Sequence, residues 1–179
     1  ESVFGFLLEM TRHTAFNTGR IRQGAWTACP EFCWWERTPM ALEGKTLTVS
    51  FVCENQDERT MYFGLGGHPG FNVPLAPGKK FEDYRLRFAE TCEPCRVGFN
   101  ADCFVTHEDV PFHLENGTDL PLRHDLFDDD AIVLRDMARE VTLACDGDGH
   151  AVTVRFPGMQ YLGLWRWPRT DVPYICIEP

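Results

Sequence analysis

The 179-residue sequence predicts an all-β fold, an antiparallel β-sandwich or a related architecture. Three observations carry that expectation. From residue 42 onward, apolar and polar residues alternate in short runs rich in β-branched and aromatic side chains. Gly, Asp, Asn and Pro punctuate the runs at short intervals. No stretch repeats apolar residues at convincing helical spacing.

The runs follow in order. Lys45–Cys53 alternates with period two, and the turn residues Glu54–Asp57 part it from a strand-like run, Thr60–Leu65. Tyr84–Phe88 and Glu140–Cys145 alternate in the same way. Asp146-Gly147-Asp148-Gly149 reads as a hairpin turn into His150–Phe156. Tyr161–Trp165 and Tyr174–Ile177 complete the set. The segments 66–80 and 91–131 are long and loop-like, a length that commonly carries function. Residues 12–40 stand apart, with no periodicity and a surplus of Arg, Trp and Cys. Translation out of frame would explain that stretch, and resequencing of the coding DNA tests it. No internal repeat is apparent.

The totals narrow the function classes. The length suits a single domain, expected over 1–179, or a large piece of one, with a real core. A formal charge of −10 and a pI near 5.0 disfavour nucleic acid, which proteins normally meet with a basic face. No apolar run approaches membrane-spanning length, and Glu1-Ser2-Val3-Phe4 has no basic n-region, so neither a membrane partner nor a signal peptide is expected. Eight cysteines in this length lack the density of a disulfide scaffold, so a reduced, cytoplasmic protein is expected. Cys53, Cys145 and Cys176 sit in apolar runs, where a free thiol acts as a small hydrophobe. Cys92, Cys95, Cys103, His107 and His113 are the one set with zinc-type donors, but a second close-spaced ligand pair is missing, so no metal is assigned.

The most informative feature is Gly66-Gly67-His68-Pro69-Gly70-Phe71-Asn72, just after the run Thr60–Leu65. Flanking glycines let a ligand approach the backbone closely, and Pro69 stiffens the turn. A titratable imidazole is thereby presented on an uncluttered loop, as catalytic and ligand-binding histidines often are. Packing of His68 against Phe71 is the plainer alternative. His107, His113, His124 and His150 lack motif support and read as surface residues.

From about Leu42 to Pro179 the chain resembles the C-terminal half of the aldose 1-epimerase, or galactose mutarotase-like, superfamily, and within it the LacX-like branch. The resemblance rests on five ordered stretches: Met61–Asn72, Phe81–Phe88, Leu126–Leu134, Phe156–Trp165 and Tyr174–Pro179. It implies a large antiparallel supersandwich and a cofactor-free reaction that interconverts the α and β anomers of an aldose. A base takes the C1 hydroxyl proton, an acid protonates the ring oxygen, and the opened sugar recloses on its other face. Two proton-transfer groups with room for a pyranose between them are then required.

By the same resemblance, His68 is the acid at the ring oxygen and Glu178 the base at the C1 hydroxyl. Asp130 matches a carboxylate that binds sugar hydroxyls, with Asp129 the alternative if the register slips by one. An acidic solvated turn is as good a reading of either. Trp165 and Trp167 are candidates for stacking on a sugar ring, although a core role is the commoner fate of a strand tryptophan. Asn72 is a candidate for a sugar hydroxyl or for an Asx-type turn. The family's site also uses an arginine and a histidine from the N-terminal half, which has no counterpart here. The chain ends one residue after Glu178 and so reads as a fragment of a longer protein. A non-catalytic carbohydrate-binding module is the second reading, and a zinc-stabilised β-domain the third.

Overall fold

The structure is a computed structural model that describes residues 40–179. The anomalous stretch 12–40 lies outside the described residues, save for Met40. The chain divides between Phe63 and Gly64 into two compact units, each described by itself.

In the first unit, β1 (Met40–Glu43) and β2 (Thr46–Val49) form an antiparallel hairpin. Gly44 sits at its turn with φ of 59°, a conformation that favours glycine. The strand expected over 45–53 ends at Val49. The run 60–65, also expected as a strand, lies outside any strand. Glycines at 64, 66 and 67 are poor strand formers, and this correction moves His68 from the end of one strand to the approach of the next.

The second unit contains ten strands: β3 (Gly70–Asn72), β4 (Tyr84–Phe88), β5 (Cys95–Arg96), β6 (Val110–Pro111), β7 (Asp119–Pro121), β8 (Ile132–Arg135), β9 (Glu140–Cys145), β10 (Ala151–Arg155), β11 (Tyr161–Trp165) and β12 (Tyr174–Glu178). They form a four-stranded sheet, β10-β9-β4-β7, and a six-stranded sheet, β3-β12-β11-β8-β5-β6. Every pairing is antiparallel. The loop expected over 91–131 therefore holds three short strands and a 3-10 turn, His124–Phe127.

Period-two alternation sorts the side chains. Leu86 and Phe88 of β4 and Val141 and Leu143 of β9 turn inward from one sheet. Ile132 and Leu134 of β8, Leu162 and Leu164 of β11, and Ile175 and Ile177 of β12 turn inward from the other. All are buried in one continuous core. Burying each such side chain stabilises the fold by about 1.5–3 kcal/mol. The inward set fixes the outward one: Tyr174, Cys176 and Glu178 must share the outer face of β12. Register then brings Gly163 beside Glu178, Trp165 beside Cys176, and Gly70 beside Cys176 on the same face.

Two sequence expectations need correction. His124 is not a free surface residue: it stacks on Phe81 at 4.8 Å, pairs with Glu82 at 2.8 Å and bonds the buried Arg166. Cys145 behaves as a small core hydrophobe, but Cys53 is exposed and Cys176 is buried on the outer face of its sheet. Among the described residues, no helix is long and apolar enough to cross a membrane.

Candidate active site

The heptapeptide around His68 is held to the strand that carries Glu178. Gly67 N donates to the Pro179 carbonyl at 2.7 Å, and Ile177 N donates to the Pro69 carbonyl at 3.1 Å. The two bonds bracket His68. A Cβ on Gly66 would lie 3.2 Å from the Pro179 carbonyl oxygen, so a side chain there would press that carbonyl back by a few tenths of an ångström. The backbone of the loop is pinned while the imidazole stays largely exposed, with 66% of its side chain open to solvent.

His68 Nδ1 lies 3.1 Å from Glu178 Oε1. This is ion-pair distance, yet the geometry closes no hydrogen bond, and the buried Oε1 has no donor. Sequence reasoning expected a gap wide enough for a pyranose between the two groups. The structure instead puts them in contact, because a rotatable imidazole settles against the nearest anion. Burial raises the Glu178 pKa above the ordinary carboxylate range, opposed in part by His68 and then by Cys176. A carboxylate of raised pKa is a stronger base once ionised.

The remaining candidates extend from this pair. The rings of His68 and Trp165 meet edge to face at 6.1 Å. Trp165 Nε1 donates to Asp130 Oδ1 at 2.9 Å, which orients the indole. Asp130 takes a left-handed φ of 78°, a conformation Asp tolerates better than most residues. Trp167 and Tyr174 pack on Trp165 at 6.0 and 6.2 Å, and Trp167 is exposed. Glu178, His68, Trp165 and Asp130 therefore form one continuous chain of contacts. Asn72 stands apart from it. Its register partner is Tyr174, four residues along β12 from Glu178, or roughly 13 Å at strand rise.

Cys176 was missed as a site residue because its apolar neighbours mark it as core. Its position two residues before Glu178 on an alternating strand was the available signal. Its thiol pKa is pushed up to about 11 by burial and then by the Glu178 charge. Among the described residues, His68, Cys176 and Glu178 are the one group with donor atoms suited to a metal, all within 4.8 Å of one another. The set Cys92, Cys95, Cys103, His107 and His113 does not converge.

Known proteins share this arrangement of strands. The plasmid and chromosomal LacX proteins of Lactococcus lactis subsp. lactis are each 37% identical over 147 residues, covering 80% of this chain and 48% of the relative. A galactose mutarotase-like protein from Lactobacillus casei ATCC 334 superposes with a TM-score of 0.68 at 30% identity, covering 78% of this chain and 48% of that one. A galactose mutarotase related enzyme from Lactobacillus acidophilus superposes with a TM-score of 0.66 at 29% identity, covering 78% and 47%. No family model matches the chain. The chain spans about half the length of the relatives it matches. Over that half, the chain is similar in sequence to the LacX proteins and in fold to galactose mutarotase-like proteins.

Proposed function

We propose that this chain carries the acid/base centre of an aldose 1-epimerase that interconverts the α and β anomers of a sugar such as galactose. The observation that carries the reading is the contact between His68 and Glu178, with a buried carboxylate oxygen lacking a donor. The anomeric hydroxyl and the ring oxygen of a pyranose are both bonded to C1, so one base and one acid side by side can serve both. Glu178 takes the C1 hydroxyl proton, the hydroxyl supplying the donor that Oε1 lacks. His68 turns about its exposed side chain and protonates the ring oxygen. The C1–O bond opens, C1–C2 rotates, and reversal of both transfers closes the other anomer. Trp165, held by Asp130, offers a ring face for the sugar's apolar side. The chemistry calls for no cofactor, and a cytoplasmic setting would keep the described free thiols reduced.

Polarimetry on α-galactose and α-glucose tests the reading. The chain should accelerate the change in rotation, and His68→Ala and Glu178→Gln should each return it to the spontaneous rate. A second reading, sugar binding without catalysis, draws support from the ledge of Trp165, Trp167 and Tyr174. It wins if sugar quenches tryptophan fluorescence while the rotation changes no faster than in buffer.

A further inference from the structure

We propose that His68, Cys176 and Glu178 form a binding site for a thiophilic divalent cation of the zinc class, and that its occupancy blocks the acid/base pair. The blocking rests on the epimerase reading; the binding does not.

The three side chains offer one imidazole nitrogen, one sulfur and one carboxylate oxygen within 4.8 Å of one another. Zinc takes these donor types at about 2.0–2.3 Å, which sets tetrahedral donors roughly 3.3–3.8 Å apart. Nδ1 and Oε1 already lie 3.1 Å apart, so only small adjustments are needed. Two donors are fixed at i and i+2 on β12, and the third hangs from a loop bonded to that strand on both sides of His68. A turn of the largely exposed imidazole about its side-chain bonds supplies the adjustment.

Charge also suits the class. Ionised Cys176 and Glu178 with neutral His68 carry two negative charges, which a divalent cation neutralises. At a pH where Glu178 is ionised and His68 neutral, binding expels the Cys176 proton: M²⁺ and the thiol give the metal thiolate and one H⁺. A thiolate disfavours Mg²⁺ and Ca²⁺, which prefer oxygen ligands. Three protein ligands leave a fourth position, on the open side of His68. A bound cation occupies the base's lone pair and holds the imidazole by one nitrogen, so Glu178 cannot take a proton and His68 cannot turn to the sugar.

Cobalt(II) is the probe, since thiolate ligation gives it a near-ultraviolet charge-transfer band. The full chain is titrated with Co²⁺, then with competing Zn²⁺ or Mg²⁺. One equivalent should bind with that band and be displaced by Zn²⁺ but not by Mg²⁺. Cys176→Ser should lose the band. His68→Ala changes an exposed side chain and keeps all eight cysteines, so it controls for thiols elsewhere and for misfolding. It should bind more than about tenfold more weakly, since even a ligand's outer partner is worth that much. The proposal is overturned if the wild type binds no cobalt, if the band persists in Cys176→Ser, or if His68→Ala binds as tightly as the wild type. A wild type that shows the expected spectra without epimerase activity supports the site and counts against the enzymatic reading alone.

Discussion

Gly163 is where fold and site are most tightly joined, and Gly163→Ala tests both. Gly163 faces Glu178 across the β11–β12 ladder. A Cβ there would lie 3.2 Å from the Glu178 Cβ, 3.4 Å from its carbonyl oxygen and 3.4 Å from Oε2. The first of these is inside the ordinary optimum of about 3.5–4.0 Å between carbons. Overpacking of this kind costs about 1–3 kcal/mol. Gly70→Ala is the matched control, because its Cβ would meet Cys176 Sγ at an ordinary 3.6 Å on the other side of the same strand. Both variants recover the roughly 0.5–1 kcal/mol that glycine costs a strand. That gain cancels between them, so Gly163→Ala should be about 1–3 kcal/mol less stable than Gly70→Ala. In urea, with a slope of about 1–3 kcal/mol/M, the two midpoints should differ by on the order of 1 M. The added methyl also pushes Glu178 aside by a few tenths of an ångström, a misplacement of the base that should lower the rate. Two variants that unfold at the same urea concentration and turn over equally fast would refute the packing argument.

Four further outcomes follow. The Glu178 pKa is raised on folding, so the folded chain holds its proton longer than the unfolded one. The associated stability is present below the ordinary carboxylate value and lost as pH rises through the raised one. Thermal melts should therefore show the wild type losing ground to Glu178→Gln as pH rises from the ordinary carboxylate value upward, and a constant gap contradicts this. Cys176, at about 11, should be roughly 1% thiolate at about pH 9, where an ordinary thiol is more than half ionised. Peptide mapping should find it alkylated at least ~50-fold more slowly than exposed Cys103, and equal rates count against its buried setting. Asp119 is buried and bonded to Arg87 at 2.9 Å, which holds its pKa low. Asp119→Ala should cost about 1.5–3 kcal/mol at neutral pH, and the difference should shrink as pH falls through the lowered value. Asp130→Gly, which accepts the left-handed φ of 78°, frees the Trp165 indole and should weaken sugar binding, read by fluorescence titration, with little change in the urea midpoint.

The sheets were legible where alternation is long and one face is buried. β4, β9 and β11 run over the predicted residues because a one-residue slip would turn Leu86, Leu143 or Leu164 out of the core. The two-residue strands β5 and β6 were not legible, since their pairing is decided by neighbours distant in sequence. The run 60–65 has strand-like composition but lies outside any ladder, a case of context overriding propensity.

The site was legible in its parts more than in its contacts. His68 stood out by its glycines, while Glu178 was marked by family resemblance alone, and nothing in either peptide announced that they touch. Cys176 shows why. In sequence it is one more apolar strand residue, and only the parity shared with Glu178 puts it on the outer face. The Trp165–Asp130 bond spans 35 residues, beyond the reach of any local pattern.

Exchange NMR on a sugar at anomeric equilibrium tests the central claim most directly, because it reads α-to-β conversion with no net reaction. The His68–Glu178 account predicts exchange cross-peaks between the C1 protons of α- and β-galactose with the wild-type chain, and none above buffer with His68→Ala or Glu178→Gln, both folded. Cross-peaks that persist undiminished in either variant would contradict it.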